Sequence, residues 1–173
     1  MPIPQKLIKY PSVAKGGDER MFIDFLKTKK VKYELIKHRT VYTAYDKAQT
    51  LRVPEKIVGK TLILKSDGKL VIALIPANKN LDKNKFKKVA KAKKVDFVSE
   101  KLIKNKLKGV KVGTIPPFGN LWGFQTFIDR GLIQSPKIII NAGDYNFSIK
   151  LSGGSLKKLI PSLVIGSFTK VRK

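Results

Sequence analysis

Lys60-Thr61-Leu62-Ile63-Leu64-Lys65-Ser66-Asp67-Gly68-Lys69-Leu70-Val71-Ile72-Ala73-Leu74-Ile75 reads as two strands folded about a tight turn. Asp-Gly between two β-rich runs specifies a hairpin, because the favoured two-residue turns need residues that tolerate positive φ. The second run is apolar on both faces, which fits an interior strand covered on both sides. Leu70 to Ala77 is also the longest apolar run in the chain. It has a strand's length and falls far short of the roughly 20 residues that a membrane-spanning helix requires.

Outward from this hairpin, the pattern predicts a helix over Leu81 to Lys94, with Leu81, Phe86, Val89 and Ala90 turned inward. A short strand at Val95 to Val98 follows, then a helix capped by Ser99 and running through Leu107. Lys137 to Asn141 and Asn146 to Leu151 read as neighbouring strands joined by Ala142 to Tyr145. A short helix over Ser155 to Ile160 and one last strand over Leu163 to Thr169 end the series. Upstream, Val31 to Leu35 alternates as a half-buried strand does, and Thr43 to Asp46 has capping-box spacing before a helix that Pro54 stops. Asp18 is the expected cap of a helix carrying Phe22, Phe25 and Leu26 on one face. Residues 1–17, rich in proline and glycine, read as an extended basic arm, so the expected domain covers 18–173. Short helices among many strands indicate a mixed α/β (α+β) domain with helices packed outside, not a regularly alternating doubly wound sheet.

The composition narrows the function. Thirty-seven Lys and Arg against 12 Asp and Glu give a formal charge of +25, which calls for a polyanionic partner. With no cysteine, disulfides, Cys-ligated zinc and thiol catalysis are excluded. The single histidine, His38, excludes a His-rich metal cage; it has no adjoining acid in the sequence to orient it as a base. The first ten residues lack the apolar core of a secretory signal, so a cytoplasmic location away from membranes is expected. The stretch from 79 to 111 is dense in lysine and opposed only by Asp82, Asp96 and Glu100. A face of one sign suits an RNA backbone, and Lys87, Lys91, Lys94 and Lys108 are its candidate contacts. Aromatic interleaving there is sparse, with Phe86 and Phe97 expected in the core, so base stacking is not indicated.

Gly109-Val-Lys-Val-Gly113-Thr-Ile-Pro-Pro117-Phe-Gly119 is the most constrained segment, with three glycines and two prolines in eleven residues. Such a loop either makes a rigid turn or aims backbone N–H groups at a carbonyl oxygen, as an oxyanion hole does. Lys60 stands just after Gly59 at the head of an apolar strand, where its side chain can reach a cavity mouth.

These residues, taken together, resemble the YbaK-type aminoacyl-tRNA deacylases and the editing domain inserted in many bacterial prolyl-tRNA synthetases. Gly113 to Gly119 resembles that family's GxxxP-(F/L)-G loop, and Gly59-Lys60-Thr61-Leu62 its strand start bearing the functional lysine. Thr43 and Ala48, Pro76 with Leu81-Asp82, and Asn141-Ala142-Gly143 resemble further motifs in the same order, over about residues 18 to 165. Lys108 stands where many members carry threonine, and Ser148 where some carry an aspartate beside the catalytic water. The resemblance implies a barrel-like sheet and a site in which Lys60, Gly113, Gly143 and Asp144 are catalytic. It implies substrate contacts from Thr43, Thr61, Ile115, Pro117, Phe118, Gly119, Asn141 and Ser148, with no metal or cofactor.

The function so implied is hydrolysis of the ester of a mischarged tRNA, with alanine or cysteine on a proline tRNA as the type of substrate. Mischarged tRNA is then the partner, with an aminoacyl-tRNA synthetase as a further candidate. An activated ester needs only a positioned water and a stabilised oxyanion, which fits a sequence without a Ser-His-Asp or Cys-His set. The rival expectation is a non-catalytic RNA-binding or ribosome-associated protein, which needs neither the glycine-proline loop nor Lys60.

Overall fold

The Asp67-Gly68 turn closes a hairpin of β2 (Gly59–Ser66) and β3 (Lys69–Pro76), paired in register from Gly59↔Pro76 to Ser66↔Lys69 in the computed structural model. The model describes residues 19–107 and 110–172. Both turn residues have positive φ, 47° for Asp67 and 84° for Gly68, which is the geometry the dipeptide specifies. The Asp67 carboxylate also accepts bonds from the N–H groups of Lys93 and Lys94, tying the turn to the chain ahead of β5 (Val95–Phe97). Those amide bonds hold its pKa below the usual carboxylate value.

Strand β3 lies inside a five-stranded sheet of order β5-β2-β3-β6-β9, with β6 (Gln125–Asp129) and β9 (Val164–Gly166) running parallel to it and to each other. Ile72 and Leu74 face one core, while Val71, Ala73 and Ile75 face another, so the strand is covered on both sides as its composition requires. A second sheet, β1-β8-β7, joins β1 (Glu34–Lys37), β8 (Phe147–Leu151) and β7 (Ile138–Asn141) in antiparallel order. A third pairs β10 (Thr169–Val171) with β4 (Lys79–Leu81). The larger core holds the Phe22, Ile23 and Leu26 face of α1 (Glu19–Thr28), with Phe118 and Phe147. The smaller sits under α3 (Lys83–Ala90), where Phe86 meets Phe127 and Phe168. Helices α5 (Arg130–Gln134) and α6 (Leu156–Leu159) add Leu132, Ile133, Leu156 and Leu159 to the larger core. No helix among the described residues is long and apolar enough to cross a membrane.

The mixed α/β class holds, with the described strands in three sheets and no closed barrel found among them. Several boundaries are corrected. The expected helix over Leu81 to Lys94 begins only after Asp82, whose carboxylate caps it, and ends where Lys91 turns left-handed; Leu81 belongs to β4. The single last strand is two, because β9 continues the five-stranded sheet while β10 crosses to β4. The first strand pairs only from Glu34. Strand β6 and helix α5 were not anticipated. The basic arm of residues 1–17, the Asp18 cap and Lys108 lie outside the described residues.

One break in the sheets positions the site. A two-residue turn makes Ser66–Lys69 a hydrogen-bonded pair, so Leu64, Leu62 and Lys60 direct their main-chain groups to β3 and Thr61 directs its own to the opposite edge. On that edge β2 pairs with β5 only from Leu64 to Ser66, while Val58, just before it, bridges to Ile139 of β7. Between these two partners the edge at Thr61 is open.

Candidate active-site cleft

Gly113 lines three adjoining cavities, two of which lie along the open edge of β2. One, of about 260 Å³, is bounded by Thr43, Gly59, Lys60, Thr61 and Asn141. Another, of about 230 Å³, is mostly apolar, with Ile63, Phe97, Ile103, Val112 and Ile115 in its walls. The third is a broader groove of about 730 Å³ between Tyr42 and Tyr145 on one side and α4 (Glu100–Lys106) on the other.

Gly113 occupies this junction for a conformational reason. Its φ is +88°, and a β-carbon there would stand 3.2 Å from the Tyr42 carbonyl oxygen. The loop that follows is held from behind. Thr126, buried, accepts a bond from the Gly119 N–H and donates one to the Pro117 carbonyl, each at 3.1 Å. Asn141 donates from Nδ2 to the Ile115 carbonyl at 3.1 Å. The Thr114 N–H bonds to Lys111, whereas the N–H groups of Gly113 and Ile115 have no acceptor among the described residues.

Lys60 is half-buried at the rim and shares its strand face with Leu62 and Leu64, opposite Thr61. Its amine has neither hydrogen bond nor ion pair among the described residues. Burial, and then the nearby Arg172, lower its pKa from the ordinary lysine value. The Thr61 hydroxyl is likewise buried without a hydrogen-bond partner among the described residues. Unpaired polar groups cost stability when water is removed, and Lys60 and Thr61 both line the same cavity.

The remaining expected residues have other surroundings. Thr43 caps α2 (Ala44–Leu51) by accepting from the Asp46 N–H. Gly143, at φ +89°, gives its N–H to Thr114, and Asp144 is 7% exposed and ion-paired with Lys111 at 2.6 Å. Both brace the loop and do not line the cleft. Pro117, Phe118 and Gly119 are buried behind it, with Phe118 packed against Phe22 and Phe25. Ser148 is fully buried, 2.8 Å from His38 Nε2. His38 Nδ1 lies 2.8 Å from the Arg39 carbonyl, so two bonds orient the ring where the sequence offered none. Burial lowers its pKa despite the raising effect of that carbonyl. Lys91 and Lys94 are exposed and Lys87 half-buried on and beyond α3, none of them in the cleft lining.

Two features escaped the sequence reading. Lys47, on the inner face of α2, is 5% exposed and donates to Asn141 Oδ1 at 2.6 Å. Phe97, expected in the core, is 57% exposed, with the Lys83 amine 5.2 Å from its ring centre. Tyr42 at 65% and Tyr45 at 49% are exposed as well. Strand alternation puts Phe97 on the same face as buried Val95, so nothing local announced its exposure.

The sequence from residue 38 to residue 159 matches the aminoacyl-tRNA editing domain, and the chain belongs to that family. Its fold is similar to the crystal structure of a hypothetical protein, with TM-score 0.77 and 21% identity over 86% of this chain and 99% of that one. It is equally similar, at TM-score 0.77, to a candidate trans-editing enzyme for prolyl-tRNA synthetase, with 15% identity over 90% of this chain and 98% of the other.

Proposed function

We propose that the protein is an aminoacyl-tRNA deacylase that acts in trans on a tRNA carrying a small, wrong amino acid. One observation carries this reading: Gly113 stands where three cavities meet, with N–H groups on its loop and a lysine on the facing strand that have no partner among the described residues. An aminoacylated ribose likewise has three parts diverging from one ester, namely the amino acid, the acyl carbonyl and the nucleotide.

In this reading the ester lies beside Gly113, with Lys60 on the terminal phosphate or the ester carbonyl. Water adds to the carbonyl carbon, and the Gly113 and Ile115 amides receive the developing oxyanion. Collapse then breaks the bond between the acyl carbon and the ribose oxygen, releasing a free amino acid and a tRNA hydroxyl. The Thr61 hydroxyl and the Asn141 amide complete the wall around the substrate. The apolar cavity of about 230 Å³ suits a small side chain such as alanine's or cysteine's. Asp144, Gly143 and Ser148 act through the loop and sheet they brace. The lysines of α3 and its C-terminal extension bind the tRNA backbone without reading sequence.

The test is a panel of one proline tRNA charged in turn with alanine, cysteine, serine and proline, incubated with the purified protein. Release of alanine or cysteine with proline retained is the expected pattern. Binding without release from any of the four would leave a non-catalytic RNA-binding protein.

A further inference from the structure

Lys47 is a buried amine that the ester chemistry leaves unused. It belongs to α2, where its neighbour Ala48 packs with Val58, Ala77 and Ile139 in a small apolar core. Its amine has one hydrogen-bond acceptor, Asn141 Oδ1 at 2.6 Å, and no ion pair among the described residues. Burial disfavours its charged form and lowers its pKa to about 7. An apolar side chain of similar length would fill the same space without that cost. Packing alone therefore gives no reason for lysine at this position.

What lysine supplies is direction. An amine donates to a carbonyl oxygen in either protonation state, and the ammonium form can only donate. Asn141 must then turn Oδ1 toward α2 and Nδ2 toward the loop, where it donates to the Ile115 carbonyl at 3.1 Å. Nδ2 carries a second hydrogen, and Asn141 lines the cavity that Lys60 and Thr61 share. The opposite orientation would set Oδ1 against the Ile115 carbonyl oxygen, acceptor against acceptor, and push the loop away. That loop bears the Gly113 and Ile115 amides. We propose that Lys47 is a positioning residue for the hydrolysis: it fixes the orientation of the Asn141 amide, and through it the loop donors and the cavity wall. The inference rests on the deacylase reading for the reaction, whereas the tether to the loop stands without it.

The experiment compares the wild type, Lys47→Met, Asn141→Ala and the double variant, each followed by thermal melting. Single-turnover hydrolysis of alanine- or cysteine-charged proline tRNA, over a range of protein concentrations, separates the rate constant from the half-saturating concentration. Hydrogen exchange read by mass spectrometry reports on the loop segment 110–121 without substrate. Lys47→Met should melt no lower than the wild type, because it removes a buried amine. Its rate constant should fall about tenfold, with half-saturation nearly unchanged, which is less than a full 1 Å misplacement can cost. Its loop should exchange faster. Because the two residues act as one unit, the double variant should be no slower than Asn141→Ala alone. A Lys47→Met protein that hydrolyses at the wild-type rate overturns the inference, as does a double variant whose losses multiply. A lowered melting temperature with rate and half-saturation both impaired also overturns it, since that pattern marks structural support alone. A wild type that releases no amino acid removes the deacylase reading instead, and the exchange comparison then decides whether Lys47 holds the loop.

Discussion

Lys47 Nζ lies 2.6 Å from Asn141 Oδ1, joining the inner face of α2 to the strand that bears the cleft wall. The same asparagine uses Nδ2 to hold the Ile115 carbonyl, so helix, strand and glycine-proline loop meet in one side chain. Burial pushes the pKa of Lys47 down from 10.5 to about 7.

This shift fixes a sign for stability against pH. Between about 7 and 10.5 the unfolded chain binds more protons at Lys47 than the folded one, so stability rises with pH across that window. The full span corresponds to something on the order of 5 kcal/mol. Denaturant unfolding at about pH 7.5 and 9.5 should show a gain of roughly 2 kcal/mol for the wild type that Lys47→Met lacks. An equal rise in both proteins would mean that folding leaves the pKa of Lys47 at its ordinary value.

Gly113→Ala isolates the loop. The methyl group meets the Tyr42 carbonyl at 3.2 Å in a backbone with φ +88°. Stability should fall by about 1 kcal/mol or more. Single-turnover hydrolysis should slow by about 10²-fold, the scale expected of a 1 Å misplacement. Filter binding to tRNA should stay near normal; binding and hydrolysis lost together would indicate a folding defect.

The hairpin and the buried strand were legible because Asp67-Gly68 and the two-sided apolar run of β3 are local constraints. The pairing of β3 with β6 was not, since Val71↔Gln125 joins segments far apart in sequence and nothing near Gln125 announces its partner. The division of β9 from β10 depends equally on remote neighbours, β6 for one and β4 for the other. At the cleft, Gly113 stood out because glycine and proline restrict the backbone wherever they occur. Lys47 did not, because nothing local distinguishes a buried lysine among so many cations. Its acceptor, Asn141, lies 94 residues away. Gly143 and Asp144 were legible as part of the site region, but their bonds to Thr114 and Lys111 make them braces.

The basic face carries a salt prediction. Lys91 and Lys94 are exposed, and the ion pair of Lys94 with Asp96, at 3.8 Å, is solvent-exposed and weak. Log K for tRNA should fall linearly with log salt, by about 0.7 to 0.9 per phosphate contact. Neutralising Lys87, Lys91 and Lys94 together should flatten that slope by roughly two units, with turnover at saturating tRNA nearly intact. An unchanged slope would move the RNA footprint to another face.

The central claim is that Lys60 serves the ester. Its half-buried amine has no partner among the described residues, so Lys60→Ala removes a cost of folding and leaves the fold intact. The deciding measurement is the single-turnover hydrolysis rate of alanine- or cysteine-charged proline tRNA by wild type and Lys60→Ala, each shown folded by thermal melting. A fall of about 10²-fold or more in the variant is the expected result. A folded Lys60→Ala that hydrolyses the ester at the wild-type rate would contradict the account.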